Sequence, residues 1–250
     1  MPRPAHSAPR DHAIVRYHNT RSVEIDPRRA RANRVISHLH DHGVIDAYRL
    51  LRTRIRHRMA QHGWITLGIT SPGAGEGKSL TAINLALSLA RDPGHSVLLI
   101  DADLRRPNIH RTLGIQPAAG LADHLLHGVA LTELLLHPLG IERCVLLPGN
   151  PAAQAVPELL SSARMGRLID EVRSRYPQRL VIFDLPPVLI GDDVVTLAPA
   201  LDTLLLVTAE GVTDSADLGR TLELLEGYPI IGTLLNRSSE LPRGYGDYYR

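Results

Sequence analysis

The stretch Ile69-Thr70-Ser71-Pro72-Gly73-Ala74-Gly75-Glu76-Gly77-Lys78-Ser79 decides the fold, because its glycines and its lysine are typical of a loop that binds phosphate groups. Residues 64–70 are mostly apolar and β-branched, as a buried strand should be, and residues 80–90 carry leucine and isoleucine at helical spacing. At a strand-to-helix junction, backbone N–H groups can surround phosphate oxygens at the positive end of the helix dipole. The stretch therefore predicts a nucleotide-binding α/β fold.

Side chains of the loop add to what its backbone can bind. We expect Lys78 to reach the β- and γ-phosphates and the hydroxyl of Ser79 to hold magnesium. Lys78 is the only lysine of the sequence, and a compact ammonium fits under a polyphosphate where the larger, planar guanidinium does not. The alternative is an ordinary glycine-rich turn before a helix. The residues that we expect to contact the nucleotide are Gly73, Ala74, Gly75, Glu76, Gly77, Lys78, Ser79 and Leu80.

The loop departs from the common template G-x-x-x-x-G-K-[ST], because Pro72 occupies the first glycine position. This departure indicates a sub-class in which the glycines lie closer to the lysine. The spacing of Gly73, Gly75 and Gly77 is G-x-G-x-G, which differs from the G-x-G-x-x-G fingerprint of dinucleotide-binding folds.

Two acids follow the next predicted strand. Residues 97–100 form a continuous apolar run, as expected of a strand buried on both faces of a parallel sheet, and Asp101 and Asp103 come at its carboxyl end. Ligands bind at the carboxyl ends of the strands in open α/β sheets. Two carboxylates there can hold a magnesium–nucleotide complex and accept a proton from an attacking hydroxyl. A polar loop without such a role is the alternative.

A third buried strand, residues 180–183, ends at Asp184 and is followed by two prolines that stop it abruptly. We expect Asp184 to contact the magnesium through water; a strand that merely ends in an aspartate is the alternative. Further strands are predicted over residues 204–208 and 230–235, separated by a helix over residues 214–226. The last strand ends at Asn236, which we place to bind a base edge.

The segments between these motifs complete the alternation of strands and helices. Short helices are predicted over residues 120–127 and 131–137, a strand over 143–147 and a long amphipathic helix over 157–176. Strand alternating with helix is typical of a parallel sheet covered by helices.

Composition divides the chain into three parts. Residues 1–45 carry prolines, arginines and histidines without periodicity, so we predict a basic, largely disordered arm that binds an anionic surface or is simply solvated. Residues 46–238 form the predicted domain and residues 239–250 a tail.

The single cysteine, Cys144, excludes an internal disulfide framework and suits the reducing cytosol. No apolar run approaches the ~20 residues of a membrane span, so we expect membrane contact only through a partner.

A helix predicted from residue 46 places Asp46, Arg49 and Arg52 on one face, since they recur every third residue. Spacing alone allows two interpretations, a solvated charged face or an interface with a neighbouring subunit.

Three of the seven tyrosines, Tyr245, Tyr248 and Tyr249, lie in the short glycine-containing tail. So short a tail cannot pack much of a core, and exposed tyrosines without a packing role indicate recognition or modification. The alternative is an unstructured end whose tyrosines have no function.

Three of these motifs together resemble one family. Residues 72–79, 101–107 and 182–187 are similar to the Walker A, A′ and B motifs of the bacterial tyrosine kinases of capsule and exopolysaccharide systems. The closest similarity is to the stand-alone, exosortase-associated tyrosine autokinases, and Arg175-Tyr176-Pro177 and the tyrosine-rich tail strengthen it. The resemblance covers residues 46–250 and implies a P-loop NTPase fold of the deviant Walker, MinD/ParA-like class.

For the site, the resemblance implies ATP and Mg²⁺ as cofactors. Lys78 and Ser79 would bind phosphates and metal, and Asp101 and Asp184 would serve the metal. Asp103 or Asp101 would assist the attacking tyrosine hydroxyl. Such an enzyme is an ATP-dependent protein-tyrosine autokinase that regulates polymerisation and export of the polysaccharide.

For assembly, the resemblance implies a ring-like homo-oligomer. Asp46, Arg49 and Arg52 are similar to the family's E-x-x-R-x-x-R oligomerisation motif, with aspartate in place of glutamate. The tail tyrosines would be presented to a neighbour's active site, so phosphorylation would occur in trans. The expected partners are a membrane-bound co-polymerase activator and a tyrosine phosphatase, and no nucleic acid. The expected location is the cytoplasm, at the membrane periphery.

Two rival functions use the same fold. A chromosome- or septum-positioning ATPase would carry a second lysine where this chain has Gly73. A non-catalytic nucleotide switch for a membrane co-polymerase would tolerate loss of the tail tyrosines without any effect on polymer output.

Overall fold

A single mixed sheet forms the centre of the computed structural model, which describes residues 20–150, 156–174 and 179–239. Its order is β1-β4-β5-β3-β6-β2-β7-β8, and every neighbouring pair is parallel except β4 and β5. The strands are β1 (Arg21–Val23), β2 (Thr66–Thr70), β3 (Ser96–Asp101), β4 (Leu136–Pro138), β5 (Cys144–Leu147), β6 (Arg179–Asp184), β7 (Thr203–Ala209) and β8 (Ile230–Asn236).

Helices connect the strands and cover both faces of the sheet. They are α1 (Pro27–Ala32), α2 (His42–His62), α3 (Lys78–Ala90), α4 (Ile109–Leu113), α5 (Leu121–His127), α6 (Leu131–Leu134), α7 (Val156–Leu160), α8 (Ala163–Ser174), α9 (Asp193–Leu197) and α10 (Ser215–Leu224). Short 3₁₀ turns lie at Ile36–His38, Val188–Ile190 and Ala198–Ala200. In the described part of the chain, no helix combines the length and the apolar character that crossing a bilayer requires.

The hydrophobic core has two layers, one on each face of the sheet. Along β3, Val97 and Leu99 pack with the layer that contains α1, α2, α3 and α4, while Leu98 and Ile100 pack with the layer of α5, α8 and α9. Successive side chains of a strand point to opposite faces, so a strand buried on both faces must be apolar at every position. The prediction of a parallel, helix-covered sheet from these continuous apolar runs is confirmed.

The prediction that residues 1–45 are largely disordered is wrong for residues 20–45. There β1 pairs with β4, and α1 buries Ala30 against the domain. Asn84 on α3 holds the segment that follows, because its Oδ1 accepts from the Ile36 N–H (3.0 Å) and its Nδ2 donates to the Arg34 carbonyl (3.2 Å). Short elements held by distant parts of the chain leave no periodic pattern in the sequence. Residues 1–19 lie outside the described residues.

The predicted helix over residues 131–137 is also partly wrong. The helix ends at Leu134, and Leu136–Pro138 forms β4 between β1 and β5. Backbone hydrogen bonds across the sheet replace those of a further helical turn, since the Leu139 N–H donates to the Val23 carbonyl.

The predicted amphipathic helix over residues 157–176 is interrupted by two serines. The Ser161 hydroxyl donates to the Pro157 carbonyl, and the Ser162 hydroxyl accepts from the Met165 N–H and so caps the start of α8. Serine at such a position satisfies an N–H that a helix start leaves free, and it favours a new helix over a continued one. The last two residues of the predicted helix lie outside the described residues.

Candidate active site

The glycine-rich loop connects β2 to α3, as its sequence predicts. Gly75 and Gly77 have φ values of +80° and +98°, a region that favours glycine. Two hydrogen bonds join the start of the loop to the segment that follows β6. The Thr70 hydroxyl donates to the Pro186 carbonyl (2.7 Å), and the Val188 N–H donates to the Ser71 carbonyl (2.8 Å). α3 therefore begins at Lys78 with its N-terminus at the carboxyl edge of the sheet.

Sheet register brings the predicted acids to the same place. β6 lies between β2 and β3, and the paired positions include Asp101 with Asp184 and Ile69 with Asp184. Asp101 and Asp184 are each 0% exposed, and Asp103 is 5% exposed. Buried carboxylates in close proximity to each other and to a phosphate-binding loop indicate a site for a cation and a nucleotide.

Lys78 is the positive charge at the centre of these acids. Its Nζ lies 2.7 Å from Asp103 Oδ2, 3.7 Å from Asp184 Oδ1 and 3.4 Å from Ser79 Oγ. Burial lowers the pKa of Lys78, but the carboxylates of Asp184 and Asp103 outweigh it, and the net pKa lies above the usual value. Lys78 therefore stays charged and is paired with these acids.

The two deepest carboxylates keep oxygens without hydrogen bonds. Asp101 Oδ2 accepts from the N–H groups of Asn108 and Ile109, at 3.0 Å each. Its Oδ1 and both oxygens of Asp184 are buried and find no hydrogen-bond partner within the described residues. Burial raises the pKa of Asp101, and the charge of Asp184 raises it further; burial also raises the pKa of Asp184, against the opposing effect of Lys78.

These unpartnered oxygens suit Mg²⁺, which prefers oxygen ligands and keeps waters in its shell. The hydroxyl of Ser79 lies beside them, at the start of α3. In residues 20–150, 156–174 and 179–239, no group of three or more His, Cys, Asp or Glu side chains could hold a metal alone. The donor set therefore fits a cation whose remaining ligands are phosphate oxygens and water.

Not every residue of the loop presents its side chain to the expected nucleotide. The Glu76 carboxylate is 3% exposed and is used within the protein, because it accepts from the Gly73 N–H (3.0 Å) and from the Thr213 hydroxyl. Leu80 is half-buried and packs against the core. Ala74 and Gly75 are exposed.

Asn236 lies at the loop, as expected from the end of the last strand, but its amide is bonded to the loop itself. Its Nδ2 donates to the Glu76 carbonyl at 2.8 Å, and a Cβ on Gly77 would lie 2.0 Å from that nitrogen. The next residue, Arg237, donates to the Gly75 carbonyl. The sequence analysis missed Arg237 and Thr213, although both lie just after predicted strands.

Similarity to known proteins decides the family. A match to the family described as CobQ/CobB/MinD/ParA nucleotide binding domain covers residues 67–243. Over 197 residues, the chain is 34% identical to the tyrosine-protein kinase YwqD of Bacillus subtilis (strain 168), a match covering 76% of this chain and 80% of YwqD. This chain belongs to the bacterial tyrosine-protein kinases.

Two further comparisons agree with this membership of the kinase family. The kinase is 34% identical over 218 residues to the putative tyrosine-protein kinase EpsB of Ralstonia solanacearum, covering 84% of this chain but only 28% of EpsB. The solved kinase domain of the Escherichia coli tyrosine kinase ETK superposes with a TM-score of 0.70 at 28% identity, covering 78% of each chain. The fold and the family expected from the three motifs are confirmed.

An ion pair that was not predicted from the sequence links the segments that follow the acids of β3 and β6. Arg105 follows Asp103 by two residues, and its Nε and Nη2 donate to the two oxygens of Asp193, at 2.6 and 3.1 Å. Asp193 is only 2% exposed and begins α9, in the segment after Asp184. The bidentate pair joins the β3–α4 and β6–α9 connections, and its hydrogen bonding raises the pKa of Arg105.

The three residues of the oligomerisation motif differ in their environments within the kinase. Asp46 and Arg49 form an ion pair on the surface of α2 (2.7 Å), whereas Arg52 donates to the Ser88 carbonyl of α3 (3.0 Å). Three predicted modification sites lie outside the described residues: Tyr245, Tyr248 and Tyr249.

Proposed function

We propose that this kinase transfers the γ-phosphoryl group of ATP to tyrosines of its own C-terminal tail, and so regulates polymerisation and export of an exopolysaccharide or capsule. The observation that carries the proposal is the set of buried, unpartnered oxygens on Asp101 and Asp184 beside Lys78. Phosphoryl transfer depends mainly on positioning and on neutralising charge, and a phosphate-binding loop facing such acids supplies both.

Exchange of partners at Lys78 is the first step that we propose. Its ammonium is bound to the Asp103 carboxylate at 2.7 Å. The phosphates of ATP compete for the same ammonium, and charge-assisted hydrogen bonds to phosphate are strong. When Lys78 turns to the phosphates, Asp103 Oδ2 loses its partner, while Oδ1 still accepts from the Arg106 N–H at 3.0 Å.

Asp103 then acts as the base toward the tyrosine hydroxyl. The hydroxyl oxygen bonds to the γ-phosphorus, the bond from the γ-phosphorus to the β–γ bridging oxygen breaks, and ADP leaves. The hydroxyl proton passes to a carboxylate. Asp103 is better placed than Asp101, because Asp101 is fully buried and already accepts from two backbone N–H groups.

A magnesium ion bound with ATP would be held by Ser79, Asp101 and Asp184, where it neutralises charge on the phosphate oxygens. The unpartnered oxygens of the two acids support this assignment. The groups that would surround the phosphates themselves are the backbone N–H groups from Ala74 to Leu80 and the side chain of Lys78. The Gly73 N–H is bound to the Glu76 carboxylate at 3.0 Å, so Gly73 would contribute its close backbone approach only.

The tail is the proposed phosphate acceptor, at Tyr245, Tyr248 and Tyr249. The last described residue, Ser239, donates its N–H to Glu210, and β8 runs parallel to β7, so the tail starts at the carboxyl edge of the sheet. We propose that it reaches a neighbouring subunit's site and is phosphorylated in trans. Each phosphate adds a charge of about −1.5 to −2, which would repel the tail from the acidic site and loosen the assembly.

We further propose a ring-like homo-oligomer in which the surface around Asp46, Arg49 and Arg52 contacts a neighbour. The position of the Asp46–Arg49 pair supports this, since Arg49 is exposed and Asp46 is partly exposed on the surface of α2. A membrane-bound co-polymerase would activate the kinase, a tyrosine phosphatase would reverse the reaction, and the kinase would stay in the cytoplasm at the membrane periphery.

The proposal is tested by a phosphotyrosine assay on the purified full chain with ATP and Mg²⁺. In the wild type, we expect phosphotyrosine label on the tail. In Lys78→Met, we expect the amount of label to fall at least about 100-fold, because the ammonium that binds the phosphates is removed while the fold is kept. A variant with all three tail tyrosines changed to Phe should lose the tail label as well. Tyr228→Phe is the matched control, since Tyr228 lies outside the tail in the described domain.

Mixing separates trans from cis phosphorylation. Lys78→Met with an intact tail is incubated with the triple Phe variant, which has an intact site. Label on the Lys78→Met chain supports transfer in trans, and its absence contradicts it. If Lys78→Met alone labels fully, the site assignment is wrong. If the wild type binds ATP but stays unlabelled even with a candidate activator's cytoplasmic segment, a nucleotide switch replaces the kinase proposal.

A further inference from the structure

Three side chains from the segments that follow β7 and end β8 donate hydrogen bonds to the glycine-rich loop. The Asn236 amide donates to the Glu76 carbonyl (2.8 Å), Arg237 donates to the Gly75 carbonyl, and the Thr213 hydroxyl donates to the Glu76 carboxylate. We call Thr213, Asn236 and Arg237 the loop clamp. None of them lies in the loop, and two of them had no role in the sequence analysis.

The geometry of the peptide bond gives these contacts a consequence. In a trans peptide the C=O of one residue and the N–H of the next point in opposite directions. Holding the carbonyls of Gly75 and Glu76 toward β8 therefore turns the N–H groups of Glu76 and Gly77 the other way. These are N–H groups of the loop that would surround phosphate.

The Glu76 side chain fixes the start of the loop in a different way, by accepting from a backbone N–H. Its carboxylate accepts from the Gly73 N–H at 3.0 Å on one oxygen and from Thr213 on the other. Thr213 is itself fixed, because its Oγ1 accepts from the Ala209 N–H at 2.9 Å. The loop is thus bound at both ends of its glycine run before any nucleotide arrives.

We propose that the loop clamp pre-organises the phosphate-binding loop, so that Thr213, Asn236 and Arg237 are positioning residues for nucleotide binding. For Asn236 this adds a positioning role to the predicted contact with the base, because one N–H of its amide is bound to the loop. The inference rests on the proposed binding of ATP. Pre-organised donors bind an anion more tightly, because ordering them at the moment of binding costs affinity.

The test measures binding of MgADP and of magnesium tripolyphosphate, which has no base, by calorimetry on the full chain. We expect Arg237→Ala, Asn236→Ala and Thr213→Val each to weaken both ligands about five- to tenfold, the effect of one lost hydrogen bond. Arg237→Lys and Thr213→Ser keep a donor and should recover most of the affinity. Arg220→Ala is the matched control, since Arg220 pairs with Asp217 away from the loop.

Two readouts separate positioning from general stability. The melting temperature of each clamp variant should stay within about 2 °C of the wild type, while KM for ATP rises and kcat changes less. If Asn236→Ala weakens MgADP alone, Asn236 reads the base, and its place in the clamp is refuted. Wild-type affinity in Arg237→Ala and Thr213→Val overturns the clamp. A wild type that binds neither ligand overturns the proposed function and the clamp with it.

Discussion

The two ends of the sheet hold acids of opposite character, a partly exposed Asp202 and a fully buried Asp184. At the amino end, Asp202 accepts from the N–H groups of Ile65 and Thr66 (2.8 Å each), from the Thr66 hydroxyl (2.9 Å) and from Arg173 (2.7 Å). At the carboxyl end, Asp184 has no hydrogen-bond partner for either oxygen within the described residues. Asp202 has a lowered pKa and Asp184 a raised one.

The difference shows which end of the sheet carries stability and which carries chemistry. Hydrogen-bond donors that satisfy both oxygens of a carboxylate stabilise the folded state. Such a carboxylate has no oxygen left to bind a cation. Oxygens left without donors cost stability in the free protein, and a cation or a nucleotide complex can recover that cost on binding. Asp184 is fully buried and Asp202 is partly exposed, and the clearer difference between them is whether donors satisfy the carboxylate oxygens.

The largest expected effect that separates the two ends is on catalysis. Asp184→Asn should lower kcat at least about 100-fold, because it removes a charge that would hold the magnesium. Its melting temperature should be unchanged or higher, since a buried carboxylate without hydrogen bonds is replaced by a neutral amide of the same shape. Phosphotyrosine assays and thermal unfolding on the same preparation measure both.

An Asp184→Asn variant that melts well below the wild type would show that the carboxyl end is also built for stability. Near-normal kcat in that variant would remove Asp184 from the site.

The second effect is on stability at the other end. Asp202→Ala should lower the free energy of unfolding by about 1–3 kcal/mol, because it leaves the N–H groups of Ile65 and Thr66 and the partly exposed Arg173 guanidinium without their acceptor. Activity per folded molecule should not change, as Asp202 lies at the amino end of the strands. Urea unfolding gives the energy, and Asp170→Ala, an exposed acid on α8, should cost less than about 0.5 kcal/mol.

The smallest effect is the pH dependence of that same contribution. Burial raises the pKa of Asp202, but the N–H groups of Thr66 and Ile65 lower it more, and the net pKa in the folded state lies below the usual value. A group with a depressed folded pKa stabilises the protein above its unfolded pKa of about 3.9 and loses this as pH falls through the folded pKa. The stability gap between wild type and Asp202→Ala should therefore narrow below about pH 4.

Unfolding in urea at about pH 6 and about pH 3.5 measures that gap. A gap that widens on acidification would contradict the assigned sign.

The sequence predicted the site because its parts are local. An apolar strand followed by an acid places Asp101 and Asp184 at one edge wherever the strands lie in a parallel sheet. The N-terminal segment escaped prediction because its hydrogen bonds go to Asn84, about fifty positions along the chain. The contact of Arg237 with the loop was not predicted, because an arginine after a strand cannot be told from a surface arginine by sequence alone.

Lys78 has one more consequence, for chemical labelling. It provides the only ε-amine of the chain, and it is almost wholly buried within the site. Reagents that acylate lysine side chains can therefore report on one position alone, and a reactive group carried on ATP itself would be delivered to it. Since trypsin otherwise cuts this chain only at arginine, the modified peptide would be distinct by mass. Occupancy of the nucleotide site becomes a quantity that mass spectrometry can follow in whole-cell extracts.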